Sequence, residues 1–351
     1  MARPAPRHVR PHAPPVAPET PVHVRFLTPD DASALSAVIE RSYGDSYDCR
    51  WVYDQGEVRR RLVDGTLRSV VGEADGRIVG HLGLTRRHAD APVGEAGQAV
   101  VDPAFRGHHV FETLKRALAD DSREHGLLGM YSEATAAHPY SQKANLALGA
   151  RETGFLLGYI PASVEYTDIE KRAQGRRQSA ALFYLATNPD ALVPLHPPPW
   201  HRAIVTAITS RNDLRRELGA SPPSRLRGRT ELDVDAHPDH AEAFVTVRHL
   251  GLDAVDTIAA SVSRLAESND CIYLDLRLAD PSTARLPREV HDELGFFFGG
   301  LIPHLADGDV LRLQYLHDVD ADPSDVAVAS DFGGELLAYV FERRAGIGTL
   351  Q

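Results

Sequence analysis

The chain has 351 residues, of which 43% are hydrophobic and 25% are charged, and its formal net charge is −11. This length allows two domains of about 150 residues each, and the acidic balance argues against nonspecific binding to nucleic acid or to anionic membranes. The two cysteines, Cys49 and Cys271, are far apart and offer neither a disulfide framework nor a metal-ligand spacing, so we expect no metal site.

The first residues, 1–21, are rich in Pro, Ala, Arg and His and contain no apolar run. This composition predicts a disordered tail and not a signal peptide or an anchor. No stretch of about 18 apolar residues occurs in the chain, so no transmembrane helix is expected. A cytoplasmic location is the expectation that follows.

Residues 22–101 predict a strand, two helices and three further strands. Alternating apolar residues make 22–27 a strand, and Thr28-Pro29-Asp30-Asp31 has the residue types of a helix start. Asp75-Gly76 supplies a hairpin turn between two of the later strands. The other predicted elements are a helix ending near residue 43, a helix over 57–67, and strands over 68–73, 78–85 and 94–101.

The loop between the two predicted helices is rich in aromatic residues, namely Tyr43, Tyr47, Trp51 and Tyr53. Most aromatic side chains in proteins belong to the core, so a structural role is one interpretation.

Residues 98–118 combine a strand, a short basic loop and a helix. The apolar run Ala99-Val100-Val101 is closed by Asp102-Pro103, since proline cannot donate to a strand ladder. After the loop, apolar residues recur at helical spacing, with Lys115 and Arg116 on the other face; these apolar residues are Val110, Phe111, Leu114 and Leu118. A helix N-terminus beside Arg106 suits a phosphate, although an ordinary turn with a surface arginine has the same pattern.

This stretch resembles the acyl-CoA-binding motif of the GNAT acyltransferases, Gln/Arg-x-x-Gly-x-Gly/Ala at a strand-to-helix junction. His109 and Phe111 stand where the family prefers Gly and Gly/Ala. The resemblance implies acetyl-CoA or another acyl-CoA as co-substrate, with the pantetheine along the backbone of the preceding strand and the pyrophosphate on the loop. The residues implied in donor binding are Ala99, Val100, Val101, Arg106, Gly107, His108, His109, Val110, Phe111 and Asn145.

A second part of the chain, residues 128–188, is similar to the rest of that fold. A predicted strand over 128–135 is followed by a helix that ends at Leu148-Gly149-Ala150, where the family has Leu-Gly-Phe, and by strands over 155–166 and 179–187. Asn145 stands where many members carry a tyrosine that protonates the leaving thiolate. Tyr140 is the nearest phenol and takes that role in our interpretation.

The candidates for the catalytic base are Glu133, Glu95 and His138. Glu133 lies inside an otherwise apolar predicted strand, where burial would raise its pKa toward the range of a general base. His138 follows that strand and has a suitable intrinsic pKa. A structural salt bridge is the alternative for either glutamate. In the family, residues after the first helix border the acceptor, which implies substrate contacts for Tyr43, Tyr47, Trp51 and Tyr53.

The remaining residues predict a linker and a second domain. Residues 189–228 are proline-rich and are expected to contain helices over 202–218. Residues 229–351 repeat the element order of the first half. The residues from Phe296 onward also resemble those from Gly154 onward, which aligns Gly154 with Phe296 and Phe155 with Phe297. We therefore predict a degenerate, shortened GNAT-like copy. Three consecutive phenylalanines, Phe296 to Phe298, need cover on both faces, so its sheet should pack against the first domain.

Together these patterns predict an α+β protein with a mixed sheet and the GNAT fold, in tandem with a shortened copy. The GNAT-type domain spans residues 22–188. The expected function is acyl-CoA-dependent N-acyl transfer to an amine of a small molecule or peptide. Two alternatives stay open: a non-catalytic acyl-CoA sensor or partner-binding protein, and an acyltransferase whose donor is an acyl carrier protein. We expect no nucleic-acid or membrane partner, and a homodimer is possible.

Overall fold

The protein is described by a computed structural model whose described residues are 20–44, 47, 49–105, 107–164, 175–219 and 225–347. The predicted disordered tail lies outside these ranges except for its last two residues. None of the helices in these ranges combines the length and apolarity needed to cross a membrane.

The strands in the described ranges are short to medium in length. They are β1 (His23–Phe26), β2 (Leu67–Ala74), β3 (Arg77–Thr85), β4 (Val93–Val101), β5 (Gly129–Thr135), β6 (Arg151–Ile160), β7 (Gln178–Ala186), β8 (Val193–Leu195), β9 (Arg216–Leu218), β10 (Glu231–His237), β11 (Glu242–His249), β12 (Cys271–Arg277), β13 (Phe297–Ala306) and β14 (Gly308–Leu316).

The α-helices connect these strands and cover the sheet. They are α1 (Ala32–Tyr43), α2 (Gln55–Asp64), α3 (Val110–Glu124), α4 (Tyr140–Ala147), α5 (Arg202–Arg211), α6 (Ala254–Leu265), α7 (Glu289–Asp292) and α8 (Asp331–Ala345). The element order predicted from the sequence for the first half is thus present in the structure.

Most of the strands form one continuous 12-stranded sheet in the order β1-β2-β3-β4-β5-β7-β6-β13-β14-β12-β11-β10. Its neighbouring strands are antiparallel except for the parallel pairs β4–β5 and β11–β12. The apolar faces of α3, α5, α6 and α8 share one core that runs across both halves. Helices α1 and α2 enclose a second core on the opposite face of the first half.

The interpretation of residues 189–228 as linker and helices is wrong in part. Among the described residues of this stretch α5 is the only α-helix, preceded by a short 3₁₀ turn at Pro199–His201, and the flanking strands β8 and β9 pair as a separate parallel sheet. The side chain of Arg216 on β9 is 1% exposed, and its Nε donates to Asp309 Oδ2 over 2.7 Å, which ties this unit to β14. Strands of three residues have no alternation to detect, so sequence patterning could not predict them.

The two halves join edge to edge, and the joint needs glycine. Strands β6 and β13 pair at Gly154 and Gly300. A Cβ atom at Gly154 would lie 2.2 Å from the carbonyl oxygen of Gly299. Beside this point Gln314 of β14 bridges both strands: its Nε2 donates to the carbonyl oxygens of Phe155, over 2.9 Å, and of Phe298, over 3.0 Å. The second sheet therefore continues the first.

The phenylalanine run is covered on both faces, as the sequence predicted, since Phe296, Phe297 and Phe298 are all nearly inaccessible to solvent. The ring of Phe298 lies 5.3 Å from that of Tyr339 on α8. The cover on that face is thus a C-terminal helix that packs against both β6 and β13.

The strands on either side of the joint have the same register. Gly154 faces Leu182 in the β6–β7 pair and Gly300 faces Arg312 in the β13–β14 pair, and each pair then has an irregularity. Within it one residue takes a positive φ, 63° at Gly158 and 57° at His304.

The backbone N–H groups at these two bulges have equivalent partners, Ser179 Oγ at 3.3 Å from Gly158 N and Asp309 Oδ1 at 3.2 Å from His304 N. The structure thus aligns Gly154 with Gly300, and the alignment of Gly154 with Phe296 inferred from the sequence is wrong in register.

One difference between the halves lies at the parallel strand pair. In the second half β11 and β12 are paired over Glu242 to Val247. In the first half β4 and β5 are paired only from Val93 to Glu95, although both strands continue. A gap therefore opens in the sheet of the first half and is closed at the equivalent place in the second.

Replacing Gly154 by Ala is expected to destabilise the protein by about 1–3 kcal/mol or more, because the new methyl group overlaps the backbone of β13. Denaturant unfolding of the full chain measures the change. Gly334 on α8 is the matched control, since a Cβ atom there meets nothing within 4 Å; its replacement by Ala should be neutral or stabilising. Equal stability of both variants would contradict the close contact at the joint.

Candidate active site

The gap between β4 and β5 opens into a cavity of 1120 Å³ that reaches both faces of the sheet. Successive residues of a strand point to opposite faces. On β5, Ser132 faces α3, where Lys115 donates to it, and Glu133 faces the other side, where Tyr159 donates to it. The cavity continues along that side to residues of the second half, among them Asp235, His237, Glu242, Phe244 and Arg312.

A bulge in β4 starts the divergence of the two strands. Gln98 has a φ of 51°, and the β3–β4 register shifts nearby. Nδ1 of the buried His81 lies 2.8 Å from the carbonyl oxygen of Gln98, and Nε2 lies 2.5 Å from Ser69 Oγ. Burial lowers the pKa of His81 to about 4, so the ring is neutral and donates to the carbonyl through Nδ1 while Nε2 accepts from the serine. The hydrogen bond from His81 to the carbonyl oxygen of Gln98 therefore stabilises the bulged backbone of β4.

The residues implied in donor binding divide between the main cavity and the N-terminus of α3. Ala99, Phe111 and Asn145 line the main cavity, whereas Gly107 to Val110 line a smaller one of 470 Å³. The side chains of Val100 and Val110 are buried in the core, so they can contact a donor only through their backbone. Asp102 N–H bonds to Val79 of β3, and the alternation of an antiparallel strand therefore turns the peptide of Val101 toward the gap.

The loop before α3 has a conformation that glycine usually adopts. Gly107 has a φ of 84° and His109, the residue before the helix, has a φ of 57°. A left-handed residue at this place explains why the family prefers glycine there. His109 adopts the conformation nevertheless, and its side chain points to solvent. Arg106 lies outside the described residues.

Glu133 is held by one residue from each half of the protein. The hydroxyl of Tyr159 donates to Glu133 Oε2 over 2.5 Å, and Arg312 Nη1 lies 3.8 Å from Glu133 Oε1. Burial, followed by the charges of Glu133 and Glu242, raises the pKa of Tyr159 well above its ordinary value, which keeps its proton in place. Sequence reasoning found Glu133 but neither partner, because both lie far away in the chain.

Arg312 is a buried cation whose main partner is Asp275 of β12. Its Nε and Nη2 donate to the two oxygens of Asp275, each over 2.8 Å, and its guanidinium carbon lies 4.7 Å from the centre of the Phe244 ring. Burial lowers the pKa of Arg312, but the charge and hydrogen bonds of Asp275 outweigh burial and the net shift is upward. The sequence signal was a charged pair in two otherwise apolar strands.

The other candidate base, Glu95, lines the same cavity from β4. Burial, followed by the charges of Glu95 and Glu133, raises the pKa of Tyr131 well above its ordinary value. Both carboxylates thus line one cavity and act on one phenol.

His138 and Tyr140 lie where the chain enters α4, and their rings are 5.0 Å apart. Both line the cavity. Tyr140 is 71% exposed and therefore forms the rim of the cavity.

Lys115 is the residue that sequence reasoning misplaced. Helical spacing put it on the outer face of α3, but it is 2% exposed and its Nζ donates to Ser132 Oγ over 3.0 Å and to Asn145 Oδ1. Its Nζ also lies 5.8 Å from the ring of Phe111, one turn earlier on the same helix. Burial lowers the pKa of Lys115 to about 7. The gap between the strands leaves room for this side chain.

Three of the four aromatic candidates line the cavity: Tyr43, Tyr47 and Trp51. Tyr43 donates to the carbonyl oxygen of Ala99 over 3.3 Å and thereby ties α1 to β4. Tyr53 is not among the lining residues. Its hydroxyl donates to the carbonyl oxygen of Gly44 over 2.7 Å, which holds the turn after α1, so its predicted substrate contact is not supported.

Comparison with known proteins identifies a family for a segment of the first half. Residues 34–149 match a family model described as the Acetyltransferase (GNAT) family. No curated protein matches the sequence. Among solved structures, the ribosomal-protein-S18-alanine N-acetyltransferase from Escherichia coli is 14% identical, covers 48% of this chain and 96% of its own, and has a TM-score of 0.38.

Two further solved structures have similar values. The yncA protein from Salmonella typhimurium, solved with its cofactor acetyl-CoA, is 18% identical, covers 49% of this chain and 97% of its own, and has a TM-score of 0.39. The spermidine/spermine N-acetyltransferase SpeG from Vibrio cholerae is 18% identical, covers 48% of this chain and 95% of its own, and has a TM-score of 0.37.

Residues 34–149 thus match the GNAT acetyltransferase family, and the mixed sheet with flanking helices in the first half has the GNAT fold. The resemblance inferred from the motif at the strand-to-helix junction is thereby confirmed. Among the described residues no group of three or more His, Cys, Asp or Glu side chains is placed to hold a metal ion.

Proposed function

We propose that the protein transfers an acyl group from acyl-CoA to an amine by direct attack of the amine on the thioester. The observation that carries this proposal is the gap between β4 and β5, which brings Phe111 in the first turn of α3 and Glu133 into one cavity. An acyl-CoA would enter from the α3 side with its phosphates at the helix N-terminus. The peptide of Val101 would meet the pantetheine.

In this mechanism Glu133 removes a proton from the attacking amine, directly or through water. Its placement supports this role, because it lies at the gap with Tyr159 and Arg312 fixing its two oxygens. Glu95 and His138 line the same cavity and are the alternatives.

The proposed acceptor is an amine of a small molecule or peptide, bound on the face of the sheet opposite α3. Residues of the second half form the far wall there, and several carry acidic or aromatic side chains, namely Asp235, Asp239, Glu242 and Phe244. Carboxylates and aromatic rings favour a cationic ligand. Tyr43, Tyr47 and Trp51 would border it on the near side.

We further propose that residues 229–351 are a degenerate copy of the first domain. The common register of β6–β7 and β13–β14 supports a common origin. The continuous pairing of β11 with β12 leaves no place between them for a donor. In this proposal the copy has lost donor binding and serves as a wall of the acceptor cleft.

A non-catalytic acyl-CoA sensor is the second candidate, because His109, Phe111 and Asn145 depart from the family motif at donor-binding positions. Transfer from an acyl carrier protein is a variant of the first proposal. Calorimetry with a panel of acyl-CoAs, followed by intact-mass analysis of amine acceptors, separates these cases. Binding without transfer would favour the sensor, and transfer only from a carrier protein would favour the variant.

Replacing Arg106 by Glu is expected to weaken CoA binding by about 1–3 kcal/mol, because a charge-assisted hydrogen bond to phosphate is lost and repulsion is added. Calorimetry measures the affinity. The matched control is Arg123→Glu at the exposed far end of the same helix, which should leave the affinity unchanged. Equal affinity of the Arg106 variant and the wild type would place the phosphates elsewhere.

A further inference from the structure

Lys115 occupies the side of the gap where the donor would lie. Its Nζ reaches from α3 to Ser132 of β5 and to Asn145 of α4, and all three residues line the main cavity. Glu133 is the next residue after Ser132 and points to the opposite face of the strand. A thioester in the gap would therefore have the proposed base on one side and an amino group on the other.

The hydrogen bonds around Nζ have a defined direction. Asn145 Nδ2 donates to the carbonyl oxygen of Ser141 over 3.0 Å, so its Oδ1 is the atom that accepts from Lys115. Ser132 Oγ lies 3.4 Å from the same Oδ1 and accepts from Nζ. Two of the three N–H bonds of an ammonium group are used in this way. The third site on Nζ can serve a ligand in the cavity.

We propose that Lys115 protonates the departing thiolate, an inference that rests on the proposed function. The amine nitrogen bonds to the acyl carbon and Glu133 takes the proton that the amine loses. The carbon–sulfur bond then breaks, its electron pair stays on sulfur, and a proton passes from Nζ to sulfur. Lys115 is left as a neutral amine that retains its bonds to Ser132 and Asn145, and it regains a proton when the products leave.

The chemistry of the surroundings supports this role. Burial lowers the pKa of Lys115 to about 7, below the value of about 8.5 of an ordinary thiol, so transfer to a thiolate is downhill. Asn145, which accepts a hydrogen bond from Lys115, occupies the position at which many family members have a tyrosine that protonates the thiolate. Tyr140, the phenol named from the sequence, is at the exposed rim.

The groups nearest to Nζ among the described residues are uncharged, namely Ser132 of β5, Asn145 of α4 and Phe111 of α3. Titratable groups on neighbouring elements line the same cavity without a hydrogen bond to Nζ: Tyr43 of α1, Glu95 of β4, Glu133 of β5, His138 and Tyr140. Burial among these uncharged groups is therefore the main cause of the lowered pKa of Lys115.

The test uses Lys115→Met and Lys115→Arg in the full chain, with Arg116→Met, at the exposed neighbouring residue of α3, as the matched control. Lys115→Met should lower kcat by about 100-fold with an unchanged CoA affinity, and the fall of kcat as pH rises above about 7 should disappear. Lys115→Arg keeps the charge but cannot give up its proton, so it should be equally slow. Arg116→Met should change kcat little, and Tyr140→Phe, which removes the other proposed donor, should keep the fall of kcat above about pH 7.

If Lys115 is merely structural, its replacement will lower stability and leave the pH profile unchanged. Full turnover of Lys115→Met would overturn the proposal. A Tyr140→Phe variant whose kcat no longer falls at high pH would also overturn it. If the variants do not fold, NMR of 15N-labelled lysine in the wild type measures the titration of Nζ: a midpoint near 7 is expected, and one near 10 would overturn the assignment. If wild type binds no acyl-CoA and transfers no acyl group, the proposed function fails first and takes this inference with it.

Discussion

Replacing Arg312 by Leu is expected to lower the free energy of unfolding by about 3–5 kcal/mol, the range found when one partner of a buried ion pair is removed. Asp275 would keep a carboxylate that is almost fully buried and has lost both of its 2.8 Å hydrogen bonds from Arg312. The cost comes from this unpaired charge more than from the lost attraction. Urea unfolding of the full chain measures it.

A double variant, Asp275→Leu with Arg312→Leu, should recover part of the stability, because the carboxylate of Asp275 is no longer left unpaired, while Glu133 keeps the hydrogen bond from Tyr159. The first half supports an apolar residue at position 312, since Leu182 holds the equivalent place in the shared register. Arg176→Leu is the control for loss of an exposed arginine, because its ion pairs with Asp320 and Asp325 are at the surface; it should cost about 1 kcal/mol or less. Wild-type stability of the single Arg312 variant would contradict the assignment of a buried pair.

Replacing Glu133 by Gln should lower turnover by about 10²–10⁴-fold, the contribution of a general base, and leave the affinity for acyl-CoA unchanged. Gln keeps the size of the side chain and can still accept the hydrogen bond that Tyr159 donates. Steady-state kinetics with an established acceptor, together with calorimetry of the donor, separates loss of chemistry from loss of binding.

Two further variants serve as comparisons for Glu133. Glu95→Gln removes the other carboxylate of the cavity, and Tyr159→Phe removes one hydrogen bond but not the carboxylate of Glu133. Both should reduce turnover less than Glu133→Gln does. If Glu133→Gln keeps the full rate, Glu95 or His138 is the base.

Local patterns in the sequence were sufficient to predict the secondary structure of the first domain. The order of its strands and helices, the junction at Asp102-Pro103 and the start of α3 all follow from alternation, helical spacing and turn residues, which act between neighbours in the chain. The same reasoning identified Glu133 as an acid within an apolar strand. A charge in such a place is costly and therefore conspicuous.

Contacts between residues far apart in the chain could not be predicted from such local patterns. Helical spacing assigned Lys115 to the outer face of α3, and only the opening between β4 and β5 brings its Nζ inside, to Ser132 and Asn145. The pairing of Glu133 with Arg312 joins strands of different halves, and the joint at Gly154 depends on how closely two backbones approach. Periodicity reports which face a residue shares with its neighbours in sequence, whereas the burial and charge of this site depend on which strand of the second half comes to lie beside the first.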